Sequence, residues 1–457
     1  MSDFDLFDEF PQVSAKQWKQ KIQFDLKGAD YNKTLVWESP EGIKVKPFYH
    51  AEDLGSNTSP HKESKEWYIA QPIFATDSKK ANTKAKEILG KGIESLVFTI
   101  PKLEINLIDL LQGIDLAKIP IHFNFEFLDL NPIKELVTFL ENKDCQVFFH
   151  IDSIGHLGKT GNWYQSQKED AAKLQELLSL TKPYKTIFPL GVDVSVLQNS
   201  GADLVQQLAY AIAHANEYLN LYKSAFPKPT FKVAVGGNYF FEIAKIKALR
   251  WLWSILANEY DATQECHILA TPSKRNKTLY DYNVNMLRTT SECMSAILGG
   301  ADTVCNLAYD GIYHKDNDFA ERIARNQLVL LKEESYFEET ANATEGAYYM
   351  ESLTQQLAEK ALVLFKQIEA SGGFLDMLYR GKIQQKLNES AFKEQALFDE
   401  GQTTLVGTNK YENPNDRMKD DMELYPFLKR RSEKTQIIPI IEKRLAEDLE
   451  QKRLDDE

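Results

Sequence analysis

Eight short apolar segments, separated by segments of helical periodicity, constrain the fold of this 457-residue chain more than any other feature. The apolar segments are rich in Val, Ile and Phe and lack strict alternation, which is typical of strands buried on both faces. The predicted strands are Trp67–Ala75, Ser95–Ile100, Ile119–Phe127, Cys145–Ile151, Thr186–Val192, Phe231–Val235, Cys266–Ala270 and Thr303–Ala308.

The segments between these strands predict amphipathic helices. Asp203–Ala213 and Phe240–Trp253, for example, place apolar residues at positions i, i+3, i+4 and i+7. Eight strand–helix units over about 270 residues predict an α/β fold of the (β/α)8 TIM-barrel class, spanning residues 67–335. Periodicity does not show closure of the sheet, so a doubly wound open sheet is the alternative.

Additional segments flank the predicted barrel. Residues 1–66 form an N-terminal arm with an amphipathic helix, Trp18–Gly28, that ends at glycine. This arm either packs on a neighbouring subunit or folds back on its own barrel. Residues 336–414 predict a helical extension, and residues 415–457 form a charged C-terminal tail whose charge run indicates a solvated helix face.

Composition excludes several classes of function. The net charge of -13 argues against broad nucleic-acid binding, because phosphate backbones attract basic surfaces. No stretch of about 20 apolar residues predicts a membrane span, and the acidic start is unlike a signal peptide. The four cysteines form no C-x-x-C motif and three lie in apolar runs, which is typical of buried thiols in a reducing cytoplasm. We therefore expect a cytoplasmic protein.

Candidate chemical groups lie where the predicted strands end, because a (β/α)8 barrel builds its active site at the carboxyl ends of its strands. His150 and Asp152 could bind a metal or act as acid and base, or they could form a hydrogen-bonded pair that lines the barrel mouth. Asp193 and Asn306 could contact a ligand or satisfy loop amides. The Gly236–Asn238 loop could hold an anion, although a tight turn requiring positive φ explains it more simply. No nucleotide-binding, metalloprotease or hydrolase motif is present.

Several long stretches resemble one known family in content and order. They include Asp25–Tyr31, Gly237–Trp253, Arg322–Asn326, Gly346–Thr354, Ile368–Gly373 and Val406–Tyr411. These stretches resemble the methylmalonyl-CoA mutase family over nearly the whole chain. The resemblance implies a (β/α)8 barrel through which the pantetheine arm of CoA threads, and a separate C-terminal domain that carries cobalamin in complete members.

Four departures from the family pattern remove chemistry. The cobalt-ligating D-x-H-x-x-G signature is absent, the chain ends at Glu457, and Asp152-Ser-Ile-Gly-His156 has the wrong spacing. Val196 stands where the S-G-Y-H motif has its histidine, and a valine transfers no proton. His267 stands at the arginine of L-R-T-H-x-Q-T-S, so a permanent charge is lost. Residues 57–64 replace the segment that carries the radical-shielding tyrosine.

The resemblance and its departures together imply the small, noncatalytic subunit of a heterodimeric mutase of this family. We expect no catalytic, cofactor-binding or metal-binding residue in it, with adenosylcobalamin held by a catalytic large subunit that interconverts methylmalonyl-CoA and succinyl-CoA. Residual binding of a CoA ester is left open. The rival hypothesis is an independent acyl-CoA-binding or metal-using barrel enzyme centred on His150, Asp152 and Asp193. A third hypothesis, a catalytic barrel served by a separately encoded cobalamin domain, fits the missing residues poorly.

Overall fold

The computed structural model describes residues 10, 12–54, 66–223, 226–339, 342–428 and 434–457. Eight parallel strands close into a barrel in the order β10-β3-β4-β5-β6-β7-β8-β9. These strands are β3 (Tyr68–Phe74), β4 (Ser95–Ile100), β5 (Ile121–Phe125), β6 (Val147–Ile151), β7 (Ile187–Asp193), β8 (Thr230–Val235), β9 (His267–Pro272) and β10 (Thr303–Cys305). Each lies within or beside its predicted apolar segment, so the predicted barrel is confirmed and the open sheet is excluded.

Helices connect the strands and cover the outside of the barrel. In chain order they are α3 (Ser78–Leu89), α4 (Leu107–Leu111), α5 (Asn131–Leu140), α6 (Ser153–Thr160), α7 (Gln167–Thr181), α8 (Ser195–Asn199), α9 (Leu204–Tyr222), α10 (Tyr239–Asn258), α11 (Val284–Leu298) and α12 (Asp318–Val329). One large apolar cluster fills the space between the strands and these helices. Among the described helices, none is both long and apolar enough to cross a bilayer.

The helical extension adds a second layer to one side of the barrel. It consists of α13 (Tyr348–Ala370), α14 (Phe374–Tyr379) and α15 (Lys382–Asp399). Helix α13 packs across both α9 and α10. This packing explains why α9 and α10 are apolar nearly all round, since a helix covered on two sides has little surface left for water.

The N-terminal arm behaves in two different ways. The segment after α1 (Ala15–Asp25) contains α2 (Tyr31–Leu35) and a short hairpin of β1 (Trp37–Glu38) and β2 (Lys44–Val45), and it packs on the same chain. In this segment the Trp37 ring lies 5.7 Å from the ring of Phe241. Helix α1 instead buries none of its residues. The predicted helix is therefore present, and its apolar side chains face solvent.

The C-terminal segment packs over loops at the carboxyl end of the barrel and then forms α16 (Glu447–Asp455). The amide of Ile440 donates to the carbonyl of Gly158 at 2.8 Å, and the amide of Leu445 donates to the carbonyl of Arg275 at 2.8 Å. Glu450 is fully buried, with a carboxylate oxygen 2.6 Å from the Arg444 guanidinium. The expected solvated face is present on α16, where Asp448, Lys452 and Asp455 are exposed, while Glu450 on its other face is buried and paired.

Candidate functional site

Strand β6 delivers His150 to the barrel through a local irregularity of the backbone. His150 has φ of 45°, and the register between β6 and β7 shifts between Phe148 and Ile151. Gly191 of β7 leaves the necessary room, because a Cβ there would lie 2.9 Å from the Cα of His150. A non-glycine residue in this region is strained, and surrounding structure must hold it in place.

The carboxyl end of the barrel is called the mouth. Asp152 is its most heavily hydrogen-bonded carboxylate. Its Oδ1 accepts hydrogen bonds from the Gly155 amide at 2.8 Å, the Tyr218 hydroxyl at 2.8 Å and His214 Nε2 at 2.9 Å. Its Oδ2 accepts one from the Asp193 amide at 2.8 Å. Burial opposes ionisation, but His214 and these donors hold the pKa of Asp152 below its ordinary value. The carboxylate is thus committed to structure and caps α6.

Asp193, at the end of β7, forms an ion pair inside the mouth. Its Oδ2 lies 2.9 Å from Lys232 Nζ of β8, and its Oδ1 accepts hydrogen bonds from the Ser195 amide and hydroxyl. Burial opposes ionisation, but Lys232, Lys159 and the Ser195 bonds hold the pKa of Asp193 below its ordinary value. About a quarter of the Lys232 and Asp193 side-chain surface is exposed, at 22% and 26%. This pair is the charged group that an entering molecule would meet.

His122 of β5 and His150 form a second polar pair deeper in the barrel. His122 Nδ1 lies 2.9 Å from His150 Nε2. Burial, together with the neighbouring His150 and His267, holds the pKa of His122 well below its ordinary value, and burial with Lys232 nearby lowers that of His150. His122 Nε2, His150 Nδ1 and Asn124 Oδ1 are buried without a hydrogen-bond partner. These neutral imidazoles therefore present one donor and one acceptor that the protein does not satisfy.

Aromatic rings from strands that are not neighbours meet across the barrel interior. The Phe148 ring of β6 lies 4.3 Å from the His267 ring of β9, and the His122 ring lies 4.5 Å from Phe148 and 5.3 Å from His267. Because β5 and β6 face β9 across the barrel, these contacts span its interior. A separate cluster formed by Ala70, Val97, Leu269 and Cys305 fills the β3, β4, β9 and β10 side. The channel is filled by side chains at this level.

Val196 and His267, the two positions that depart from the family motifs, are both buried. Val196 lies on α8 with 7% of its surface exposed and belongs to the main apolar cluster. His267 lies at the start of β9, away from the carboxyl ends, and its Nε2 is 3.0 Å from Thr303 Oγ1. Neither position can supply the proton transfer or the fixed positive charge that the family pattern places there.

The Gly236–Asn238 loop does not form an anion cradle. The Gly236 amide donates to Glu242 Oε1 at 2.8 Å, so a carboxylate already occupies the start of α10. Neither glycine has positive φ, which corrects the expected reason for the turn. Gly236 lies close to side chains, since a Cβ there would lie 2.4 Å from Gln198 Nε2 and the glutamine would have to move.

Asn306 has a structural role. Its amide nitrogen donates to the carbonyl of Ala324 at 2.9 Å and to Gln327 Oε1 at 2.8 Å, and its oxygen accepts from the Leu307 amide. The simpler interpretation, satisfaction of loop and helix groups, therefore explains this residue.

The residues do not form a metal or cobalt site. In the part of the chain that the structure describes, no three His, Cys, Asp or Glu side chains are grouped so as to hold a metal ion. Of the nearest lookalike to the cobalt-binding signature, Asp152 is fully hydrogen-bonded, and the His156 ring lies 3.6 Å from the ring of Tyr164. This pair does not fit a cobalt ligand. The replaced segment, residues 57–64, lies outside the described residues.

Sequence reasoning missed four members of the site, because His122, Lys232, His214 and Tyr218 are not singled out by any sequence motif. The available signal was the alternation of β5 and β8, which places His122 and Lys232 on the interior face once the barrel closes. The Asp152 partners Tyr218 and His214 lie on α9, at sequence separations that no local pattern links.

Fold and site together define a (β/α)8 barrel with a filled channel and a mouth whose polar groups mostly serve the structure. Residues 105–455 match the family model described as methylmalonyl-CoA mutase. The chain belongs to the methylmalonyl-CoA mutase family.

Individual relatives refine this assignment. The methylmalonyl-CoA mutase small subunit of Porphyromonas gingivalis is 35% identical over 89% of this chain and 71% of its own length. The small subunit of Streptomyces virginiae is 27% identical over 82% of this chain and 66% of its own length. The P. gingivalis large subunit is 33% identical over 50% of this chain and 33% of its own length. Relatives of this chain therefore occur as small and large subunits within one organism.

Proposed function

We propose that this chain is the small, noncatalytic subunit of a heterodimeric, adenosylcobalamin-dependent methylmalonyl-CoA mutase in the cytoplasm. The observation that carries the proposal is the filled channel. The rings of His122, Phe148 and His267 meet where an extended pantetheine arm would have to pass. Threading such an arm would require displacing close-packed side chains, and Val196 offers no proton-transferring group beside it.

In this proposal, the large subunit holds the cofactor and carries out the reaction. Adenosylcobalamin supplies the radical that a mutase needs, and the described residues of this chain offer no arrangement that fits its cobalt. The small-subunit and large-subunit relatives from P. gingivalis support a partner of the large-subunit kind. The contribution of this chain is to fold and to hold that partner.

Helix α1 is the proposed contact surface. It carries Trp18 and Phe24 with 54% and 80% of their surface exposed, and none of its residues is buried. Three lysines on α1 make it basic in a chain with net charge -13. An exposed amphipathic helix beside a body that packs well without it is typical of a protein-binding element.

Co-expression with a mutase large subunit tests the proposal. We expect a one-to-one complex by native mass spectrometry, mutase activity in the complex, and none from this chain alone. Phe24→Ser should weaken the complex, whereas Phe392→Ser, which changes an equally exposed phenylalanine on α15, serves as the matched control. A chain that remains alone beside an active large subunit would overturn the proposal.

A ligand-binding role of the mouth is the second candidate. It is favoured by the unpartnered atoms of His122, His150 and Asn124 beneath the partly exposed Lys232. Calorimetry of the isolated chain with CoA esters separates the two candidates. Binding that is lost in Lys232→Met would support a ligand site at the mouth, whereas no binding, or binding that Lys232→Met leaves unchanged, would leave the structural role.

A further inference from the structure

A groove on the outside of the barrel lies between its first and last helices. Helices α3 and α12 flank a space of about 560 Å³, a size that suits a small organic ligand. Its lining carries six cationic side chains, from Lys79, Lys80, Lys84, Lys91, Arg322 and Arg325. Glu87, Asp318 and Glu321 are its acidic members, so the lining has a net charge of +3 in a chain of net charge -13.

Arg325, within this groove, differs from every other buried cation that the structure describes. Seven lysine and arginine residues are at least nine-tenths buried, and six of them form an ion pair with a carboxylate. Those six are Lys245, Lys247, Arg275, Lys277, Lys332 and Arg444. Arg325 is 8% exposed and makes no ion pair with a described residue. Since a buried charge is costly without a counter-ion, a bound anion would stabilise this guanidinium.

The groups around Arg325 leave its guanidinium incompletely bonded. Its Nη1 donates to Gln71 Oε1 at 3.0 Å, and its Nε is buried without a partner. The nearby carboxylate of Glu321 is already engaged by Gln71 Nε2 at 2.9 Å and by Lys84 Nζ at 2.5 Å. Glu87 likewise pairs with Lys91 at 2.5 Å. The acidic side chains nearest the guanidinium are therefore used by other cations.

Further cations of the groove are available to a ligand. Lys79 and Lys80, in the first turn of α3, and Arg322, one turn before Arg325 on α12, make no side-chain hydrogen bond or ion pair within the described chain. Together with Arg325 they form a set of unpaired positive charges on both walls. A monophosphate brings about -1.5 to -2 charges near neutral pH, which leaves a +3 lining under-compensated. A terminal diphosphate, esterified at one end only as in ADP, brings roughly one charge more and matches it.

We propose that this groove binds the diphosphate group of an organic anion, with Arg325 at its floor and Lys79, Lys80 and Arg322 at its rim. Arginine suits the floor because its planar fork bonds two phosphate oxygens at once. The lysines suit the rim because their long flexible chains can follow a phosphate as a point charge. The proposal does not depend on the partner role, since the groove is complete within one chain.

Isothermal titration calorimetry on the full chain at low ionic strength tests the proposal with three probes: inorganic pyrophosphate, ADP and CoA. We expect each to bind, and Lys79→Gln/Lys80→Gln and Arg325→Gln each to weaken pyrophosphate binding by about tenfold or more. Equal affinities for all three probes would identify the diphosphate alone as the recognised group. Tighter binding of ADP and CoA than of pyrophosphate would identify an adenosine-bearing source.

A matched control changes the same number of charges elsewhere. Lys168→Gln/Lys182→Gln removes two exposed lysines, one in α7 and one at its C-cap, that make no described ion pair, and it should leave pyrophosphate affinity unchanged. If Arg325→Gln does not fold, the pyrophosphate affinity of the Lys79→Gln/Lys80→Gln variant still tests the proposal. The proposal is overturned if no probe binds at concentrations on the order of millimolar, or if the groove and control variants lose the same affinity. It is overturned as well if Arg325→Gln weakens only association with a large subunit, which would make the groove a protein interface.

Discussion

Replacing Asp152 by asparagine should destabilise the fold while removing no catalytic group. Two hydrogen bonds in particular decide the magnitude: the one from His214 Nε2 at 2.9 Å and the one from the Asp193 amide at 2.8 Å. All four groups around the Asp152 carboxylate are hydrogen-bond donors. In Asp152→Asn, the side-chain NH₂ is also a donor, so it must face one of these groups without forming a hydrogen bond. A hydrogen bond to a charged group contributes about 1.5–3 kcal/mol. The variant should lose at least one such bond, so we expect unfolding free energy to fall by about 2–3 kcal/mol.

Urea denaturation followed by tryptophan fluorescence measures this change. Asp144→Asn is the control, because Asp144 is exposed and makes no described hydrogen bond or ion pair. It should shift unfolding free energy by no more than about 0.5 kcal/mol. If Asp152→Asn is as stable as the control, the hydrogen-bonded role of Asp152 is refuted.

The pH dependence gives a second check on Asp152. Its folded pKa lies below the unfolded value, so its ionised form stabilises the fold above the unfolded pKa of about 3.9, and this contribution is lost as pH falls through the folded pKa. The difference in stability between the wild type and Asp152→Asn should therefore be constant from pH 7 down to about 5. It should shrink only below about pH 4. A difference that already disappears near neutral pH would point to another group.

Three further predictions concern other parts of the chain. Glu450→Gln leaves the Arg444 guanidinium buried without its counter-ion, so unfolding free energy should fall by about 3–5 kcal/mol in urea titration. Burial lowers the pKa of His122 and of His150 in the folded protein. Below the unfolded pKa of about 6.5, these histidines therefore take up protons only in the unfolded state. Wild-type stability should decrease between about pH 6.5 and 5 as a result. Trp18→Ser should leave urea stability within about 0.5 kcal/mol, while analytical ultracentrifugation with the large subunit shows weaker association.

The barrel could be predicted from sequence because its strands are buried on both faces. Burial leaves continuous apolar segments such as Ser95–Ile100, whose predicted bounds match β4. The predicted strand bounds are less accurate where the apolar segment is longer than the hydrogen-bonded part of the strand. Ile119–Phe127 was predicted as one strand, but β5 covers only Ile121–Phe125, since Phe127 packs beyond the ladder against Phe125.

The site was less predictable because its contacts join distant parts of the chain. Asp152 could be singled out from sequence, but its partner Tyr218 is 66 residues away, so the sequence does not show which groups its carboxylate contacts. The C-terminal charges pose the same difficulty. The sequence predicts that Arg444 and Glu450 are solvated, but in the folded chain they form a buried ion pair.

The buried cations of this barrel are of two kinds: those that form an ion pair within the chain, and Arg325, which forms none with a described residue. Arg444, Lys277 and their equivalents carry counter-ions within the chain, so those regions are electrostatically complete without any bound molecule. The interior rings around Phe148 likewise occupy the path that a substrate would need. We therefore expect substitutions inside the barrel to change how much of the protein is folded. Substitutions at α1, Lys79 and Lys80 act on exposed side chains, so their effects should appear in binding instead of folding.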